Sequence, residues 1–231
     1  MQIIPAPMAG WTDIYVRRVL SYLGAKEVWT EMISAAAICR GSKRTFNMLG
    51  TVKGVHNVVQ LFGSCAKDYE DAIATGVLDD FDEININMGC PVKKVITKNG
   101  GVKLMCDIKL AEEIIGACLT GKKPVSVKMR LGWDKNNAVE FAKMCESAGC
   151  FRLIVHGRTG KQGYSGTADW EGIKAVVDAV KIPVVANGDI TDLASARECL
   201  DLTKAAGVMV GRVLTRKKVD EIYKLFNNEN R

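Results

Sequence analysis

The sequence predicts a single-domain α/β protein, a closed (β/α)8 TIM barrel, and three observations carry that expectation. Short β-branched or apolar runs recur along the whole chain, at residues 2–7, 27–33, 56–62, 83–88, 124–130, 151–156, 182–187 and 207–211. Longer amphipathic segments separate them, the alternation expected of βαβ units and a parallel sheet. Polar or charged residues follow nearly every run at the same end, and in a barrel those ends converge on one mouth, where the chemistry sits. The 231 residues suit one large domain. They fall short of the about 250 typical of this barrel, which leaves little for a second domain.

Taken in order, the first run leads into Pro5-Ala6-Pro7-Met8-Ala9-Gly10. That turn lacks the glycine fingerprint that an open doubly wound sheet, the alternative architecture, carries after its first strand. The second and third runs end at Glu31 and Gln60. The fourth, Glu83-Ile84-Asn85-Ile86, is read as a buried apolar run and leads into Asn87-Met88-Gly89-Cys90-Pro91. A helical pattern through Ala111-Glu112-Glu113-Ile114-Ile115 precedes the fifth run, which ends in Lys128 and Arg130. Another through residues 137–144 precedes the sixth, which ends in His156 and Arg158. Gly24 and Gly149 fall where helices should stop. The last two runs end in Ala186-Asn187-Gly188-Asp189-Ile190 and Val210-Gly211-Arg212. Glycine turns after the seventh and eighth strands of such barrels bind phosphate through backbone N–H groups, and Arg212 adds a bidentate clamp. The structural alternative is two tight turns and a surface arginine. The barrel is expected over residues 1–215, with a short helical tail over 216–231.

Composition sets the class. The chain is 48% hydrophobic and 25% charged, as in soluble globular proteins. No apolar stretch approaches the about 20 residues that span a bilayer. The N-terminus enters a strand without a basic leader or cleavage site, so a cytoplasmic protein is expected. Eight cysteines without a regular framework read as reduced thiols. Cys145 and Cys150 are close in sequence, but no second thiol or histidine pair accompanies them, and no metal site is expected. The net charge of +6 is modest. It gains meaning where Lys93, Lys94, Lys98 and Lys103 follow the Cys90 turn. Such a cluster alone is a solvated loop; beside a catalytic cysteine it points to RNA or phosphate contact.

Cys90 is the candidate for chemistry. It stands just past a strand, on a turn stiffened by Gly89 and Pro91. A thiol there serves as nucleophile or, with an ordinary pKa of about 8.5, as an acid that is mostly protonated at neutral pH. The alternative is a small buried residue that caps a strand. The residue pattern leaves both open.

The combined landmarks resemble the tRNA-dihydrouridine synthase family of flavin-dependent barrels. They run from Ala6-Pro7-Met8-Ala9-Gly10-Trp11-Thr12-Asp13 through Val59-Gln60-Leu61-Phe62-Gly63, Asn87-Met88-Gly89-Cys90-Pro91 and Val127-Lys128-Met129-Arg130. His156-Gly157-Arg158-Thr159, Asn187-Gly188-Asp189-Ile190 and Met209-Val210-Gly211-Arg212 complete the series, in the family's order.

The resemblance implies FMN across the barrel mouth, with Pro7, Met8 and Ala9 against its ring and Gln60 and Lys128 on its polar edge. It places His156 near the ribityl or phosphate groups, and Asn187, Gly188, Asp189, Gly211 and Arg212 around the phosphate. The implied reaction reduces the C5–C6 double bond of a uridine in RNA, most readily tRNA, with NADPH as electron donor. Cys90 would then protonate C5, and Asn87 and Arg130 would hold the uracil edge. Ribosomal RNA as substrate and a non-catalytic flavin- or RNA-binding remnant are the alternatives. The chain departs from the family pattern at Lys103, where a small residue is usual. It departs again after Arg212, where the family continues into a helical RNA-binding domain. A protein partner or an oligomer is expected to replace that domain.

Overall fold

Each apolar run forms a strand in the computed structural model, which describes residues 1–228. The strands are β1 (Ile3–Pro5), β2 (Glu27–Ser34), β3 (His56–Phe62), β4 (Glu83–Met88), β5 (Val125–Arg130), β6 (Arg152–His156), β7 (Val184–Asn187) and β8 (Gly207–Val210). Helix α1 (Ile14–Tyr22) follows β1, and α2 (Ala35–Cys39) and α3 (Lys43–Phe46) follow β2. Next come α4 (Ala66–Ala74), then α5 (Lys93–Ile96) and α6 (Ile108–Leu119) after β4, and α7 (Ala138–Ser147) after β5. Helices α8 (Trp170–Ala179), α9 (Leu193–Thr203) and α10 (Val219–Asn227) complete the chain.

All seven strand pairings are parallel, in the order β1-β8-β7-β6-β5-β4-β3-β2. The two strands that end this order, β1 and β2, lie in contact, so the sheet curls round on itself. This is the barrel, not the open sheet. Aspartates start the helices as their short acceptors allow: Asp13 receives the Val16 N–H at 2.9 Å, Asp107 that of Leu110 at 3.0 Å and Asp169 that of Gly172 at 2.8 Å. Gly24 and Gly149 follow α1 and α7 at φ of 105° and 102°, where a side chain is disfavoured.

Most of the core lies between strands and helices, where Leu20, Val59, Ile84, Val127, Phe141 and Val155 are buried together. Residues 216–231 hold α10, whose Ile222, Leu225 and Phe226 join that core, while Asn227 Nδ2 donates to Leu23 O at 3.0 Å. Residues 229–231 lie outside the described residues.

The barrel interior is divided lengthwise. One side is a small apolar cluster of Ile4, Ala6, Trp29, Val58, Ile154, Val185 and Met209. The other is a column of buried polar groups on β3, β4 and β5: Gln60, Asn85, Ser126 and Glu83. At the amino-terminal floor Arg152 bridges two carboxylates from opposite sides. Its Nη2 lies 2.6 Å from Glu27 Oε1 and 2.6 Å from Glu83 Oε2. The Trp29 indole N–H donates to Glu27 at 2.6 Å, and half-buried His56 meets Glu83 at 3.1 Å. That carboxylate raises the His56 pKa.

Replacing one member of a buried ionic triad leaves the others uncompensated. Arg152→Ala is expected to cost about 3–5 kcal/mol of folding stability, because Glu27 and Glu83 lose their shared cation. Urea denaturation followed by circular dichroism measures that loss.

Candidate functional site

The carboxyl ends of the strands open onto a cavity of about 540 Å³, within the range of cofactor pockets. Seven of the strand ends bring Cys90 together with the residues expected to hold cofactor and substrate, whereas Glu31 and Arg158, also singled out in the sequence, do not line the cavity. Pro7, Met8 and Ala9 come from the turn after β1, Gln60 from β3, and Asn87 and Cys90 from β4. Lys128 and Arg130 come from β5, His156 from β6, Asn187, Gly188 and Asp189 from β7, and Gly211 and Arg212 from β8. Sequence reasoning missed Met32, Tyr164 and Arg216, which also line it. A bulge between Trp29 and Met32 re-aims β2 and delivers Met32 to the mouth. Tyr164 arrives on the loop after β6, and no local pattern announces where that loop folds.

Cys90 is held by its neighbour on β4. Asn87 Oδ1 accepts the Cys90 backbone N–H at 2.9 Å and the Gly89 N–H at 3.2 Å. The Cys90 carbonyl accepts the Val102 N–H at 3.1 Å. The approach requires glycine at 101: its φ is 59°, and a Cβ there would lie 2.5 Å from Cys90 O. Burial raises the thiol pKa, while the Val92 N–H, Arg130 and Lys128 pull it down without reversing the shift. Cys90 is therefore a neutral thiol at pH 7, suited to donate a proton.

The rest of the mouth is rich in cations. Half-buried Lys128 donates to Asn187 Oδ1 at 2.9 Å, and Asn187 Nδ2 in turn donates to Met209 O at 2.8 Å. Desolvation and the nearby Arg130 push the Lys128 pKa down to about 7. Arg130 ties two loops together: Nε donates to Gly89 O at 2.8 Å, and Nη1 to Thr159 O and Gly163 O at 2.9 and 2.8 Å. Among the described residues its Nη2 makes no hydrogen bond, which leaves that edge for the cavity. The guanidinium carbons of Arg130 and Arg212 lie 5.5 and 4.4 Å from the centre of the Tyr164 ring.

His156 and Asp189 are less free than the sequence suggests. Burial, then Lys128, Arg130, Arg158 and Arg212, drive the His156 pKa down to about 2. The ring is neutral, and its Nε2 faces Arg158 Nη1 at 3.2 Å as acceptor, which puts the proton on Nδ1. Asp189 takes Arg158 Nη2 with both oxygens, at 2.8 and 2.7 Å, and the Ala168 N–H at 2.7 Å. Partial burial opposes its charge, but Arg158 and the Ala168 N–H outweigh it and lower its pKa. The cavity therefore has Lys128, Arg130, Arg212 and Arg216 against one carboxylate already engaged elsewhere.

This arrangement fits an anion at the β7–β8 end. Gly188, at φ 119°, has no room for a Cβ, which would lie 2.8 Å from Ala168 Cβ and 2.9 Å from His156 Cδ2. Its backbone therefore packs directly on the histidine ring. Lys103 does not line the cavity; its ammonium sits 4.2 Å from the centre of the Trp133 ring. Lys93, Lys94 and Lys98 are exposed beside the Cys90 turn. Among the described residues no cluster of metal-ligating side chains is present, and no helix is long and apolar enough to cross a membrane.

Comparison with known proteins agrees with this layout. A family model described as "Dihydrouridine synthase (Dus)" matches residues 4–217. A probable tRNA-dihydrouridine synthase of Rhodobacter capsulatus is 44% identical over 218 residues, covering 91% of this chain and 66% of that protein. One from Rickettsia bellii is 44% identical over 215 residues, with the same coverage. The tRNA-dihydrouridine synthase B of Pasteurella multocida is 36% identical over 215 residues and covered for 65% of its length. The chain thus spans about two thirds of the length of these curated relatives. Among solved structures, a variant of NCR from Zymomonas mobilis superposes with a TM-score of 0.67 at 16% identity, over 99% of this chain and 87% of that one. A mandelate oxidase mutant with benzaldehyde gives 0.64 at 18%, over 97% and 70%. At such identities the likeness is one of fold.

The depressed Lys128 pKa predicts a pH-dependent affinity for anions. With its pKa at about 7, Lys128 loses its proton as pH rises through neutrality, and a bound anion draws the proton back. Sulfate, used as the probe because its charge is constant over this range, should therefore bind more weakly as pH rises from about 7 to about 9, by up to about tenfold per unit. Calorimetric titration measures this, and Lys128→Met should flatten the dependence.

Proposed function

The chain belongs to the dihydrouridine synthase family, and we propose that it reduces uridine to 5,6-dihydrouridine in RNA, tRNA first among candidates, with FMN as cofactor and NADPH as electron donor. The observation that carries this reading is Cys90, a neutral thiol clamped by Asn87 at the mouth of a cationic cavity. The names of the relatives supply the class of substrate.

The residues present fit the cofactor. An anionic phosphate suits Arg212 and the N–H groups around Gly188 and Gly211, beside a histidine kept neutral and an aspartate turned away to Arg158. Lys128, held by Asn187, offers a proton or a positive charge to the electron-accepting edge of a flavin. Pro7, Met8 and Ala9 supply an apolar wall. When bound, the flavin supplies hydride chemistry, replenished from NADPH.

Everything else in the step belongs to the chain. A uracil with hydride added at C6 needs a proton at C5, and Cys90 gives it from sulfur. Asn87 fixes the backbone that carries the thiol. Arg130 presents its free Nη2 edge to a carbonyl of the base, while Tyr164, half exposed at the rim, covers the pocket. The target base must leave its stack to reach this depth. The exposed Lys93, Lys94 and Lys98 then meet the RNA backbone, which makes binding sensitive to salt. A tRNA substrate also implies work in the cytoplasm.

The test incubates the purified chain with FMN, NADPH and unmodified tRNA, or ribosomal RNA in a parallel reaction, and counts dihydrouridine by nucleoside mass spectrometry. Product in the tRNA reaction is expected, and product in neither would overturn the proposal. Cys90→Ala should lower the rate about 10²–10⁴-fold; full activity in that variant would remove the acid role. Because the thiol must be protonated and its pKa is raised, the uridine-reducing rate at saturating FMN should hold past the pH at which an ordinary thiol ionises and fall only beyond it.

A further inference from the structure

Beneath Asn87 the buried amides form a single file that runs the depth of the barrel. Asn87 Nδ2 donates to Gln60 Oε1 at 2.9 Å, and Gln60 Nε2 donates to Asn85 Oδ1 at 2.8 Å. Asn85 Nδ2 donates to Ser126 Oγ at 2.7 Å, and the Ser126 hydroxyl donates to Glu83. The file ends on that carboxylate, which Arg152 holds from the far side with Nε at 3.1 Å and Nη2 at 2.6 Å. Every donor points the same way, from mouth to floor.

The direction matters because a carboxamide has two faces that a half-turn exchanges. Asn87 clamps Cys90 only with its oxygen toward the Gly89 and Cys90 N–H groups; the flipped amide would set donor against donor. Asn87 keeps that orientation because Gln60 offers its nitrogen an oxygen, with the weaker acceptor Met32 Sδ beside it at 3.0 Å. Gln60 does so because its nitrogen is taken by Asn85, and Asn85 in turn because its nitrogen is taken by Ser126. Glu83 is acceptor only and breaks the symmetry. Gln60, Asn85, Ser126 and Glu83 are fully buried, so water offers no alternative partner.

We propose that Ser126 and Asn85, neither of which lines the cavity, are positioning residues for Cys90, transmitting the fixed polarity of the Glu83–Arg152 pair to the Asn87 clamp. The proposal rests on the reading of Cys90 as the acid for uridine reduction. Ser126→Ala removes the hydroxyl that orients Asn85. Asn85→Leu keeps a similar volume but removes the acceptor that orients Gln60, and it serves as second variant should Ser126→Ala fail to fold.

The primary measurement is alkylation of Cys90 by iodoacetamide in the purified chain, resolved from Cys39, Cys65 and Cys106 by peptide mass spectrometry and followed against pH. Loss of the clamp should speed Cys90 alkylation several-fold and move its pH midpoint down toward that of an ordinary thiol. In the enzyme supplied with FMN and NADPH, kcat for uridine reduction should fall about 10- to 100-fold, from misplacement of the thiol. Val127→Ala, an outward core truncation on the same strand, is the control for general loosening. Unchanged alkylation in both variants, or an equal change in Val127→Ala, overturns the proposal. Alkylation reports the clamp even if Cys90→Ala retains activity, so failure of the acid role and failure of the positioning role are read separately.

Discussion

The structure depends on one buried cation. Arg152 stands at the start of β6 with Glu27 at the start of β2 and Glu83 at the start of β4, all nearly excluded from water. Charges taken into a low-dielectric interior are costly unless each meets its partner with good geometry. These three meet only when alternate strands arrive at the same height on the same face. A slip of one residue in any of them would turn its charge out of the barrel, because side chains alternate from face to face along a strand. An apolar floor of similar volume would tolerate such slips better. The triad therefore contributes to register more plainly than to net stability.

From that floor the barrel interior diverges into two halves with different duties. The apolar cluster around Trp29, Ile154 and Met209 fills space on one side. On the other side the chain accepts amides and a hydroxyl in place of aliphatic residues, and each must find a partner. They find one another in series, because a carboxamide both donates and accepts. A single acceptor-only group at the end suffices to order the whole file. The same economy appears at the mouth, where one Asn187 side chain holds Lys128 and the β8 carbonyl together. The Arg130 guanidinium likewise joins the Cys90 turn to the loop after β6.

The strands and the mouth were legible in the sequence for a simple reason. Parallel strands buried on both faces read as nearly continuous apolar runs, and barrel chemistry follows their carboxyl ends. The eight runs consequently match the eight strands to within a few residues at their ends. The polar column was not legible by the same reasoning. Reading Glu83-Ile84-Asn85-Ile86 as an apolar run overlooks that every second residue is polar and faces inward. When both faces are buried, the pattern does not say which one points into the barrel. Asp189 shows the other limit: its position after β7 was readable, but its engagement with Arg158 depends on a loop that returns from β6. Lys103 likewise reads in the sequence as one more lysine after the Cys90 turn, and only the fold reveals Trp133 beneath it.

The electrostatics of the mouth then follow from burial overriding charge in three neighbouring groups. Cys90 stays a thiol although Arg130 and Lys128 lie near it, His156 stays neutral, and Lys128 is poised near neutrality. The lasting positive charge is left to the arginines, which cannot give up a proton at physiological pH. A nucleophilic cysteine would need the opposite balance, with the cations winning and the thiolate exposed. An anion in this cavity favours the protonated form of both Cys90 and Lys128. It offsets the pull of the cations on the Cys90 proton while it stabilises the charged ammonium of Lys128. Filling the cationic end of the mouth and keeping a proton on sulfur therefore favour one another.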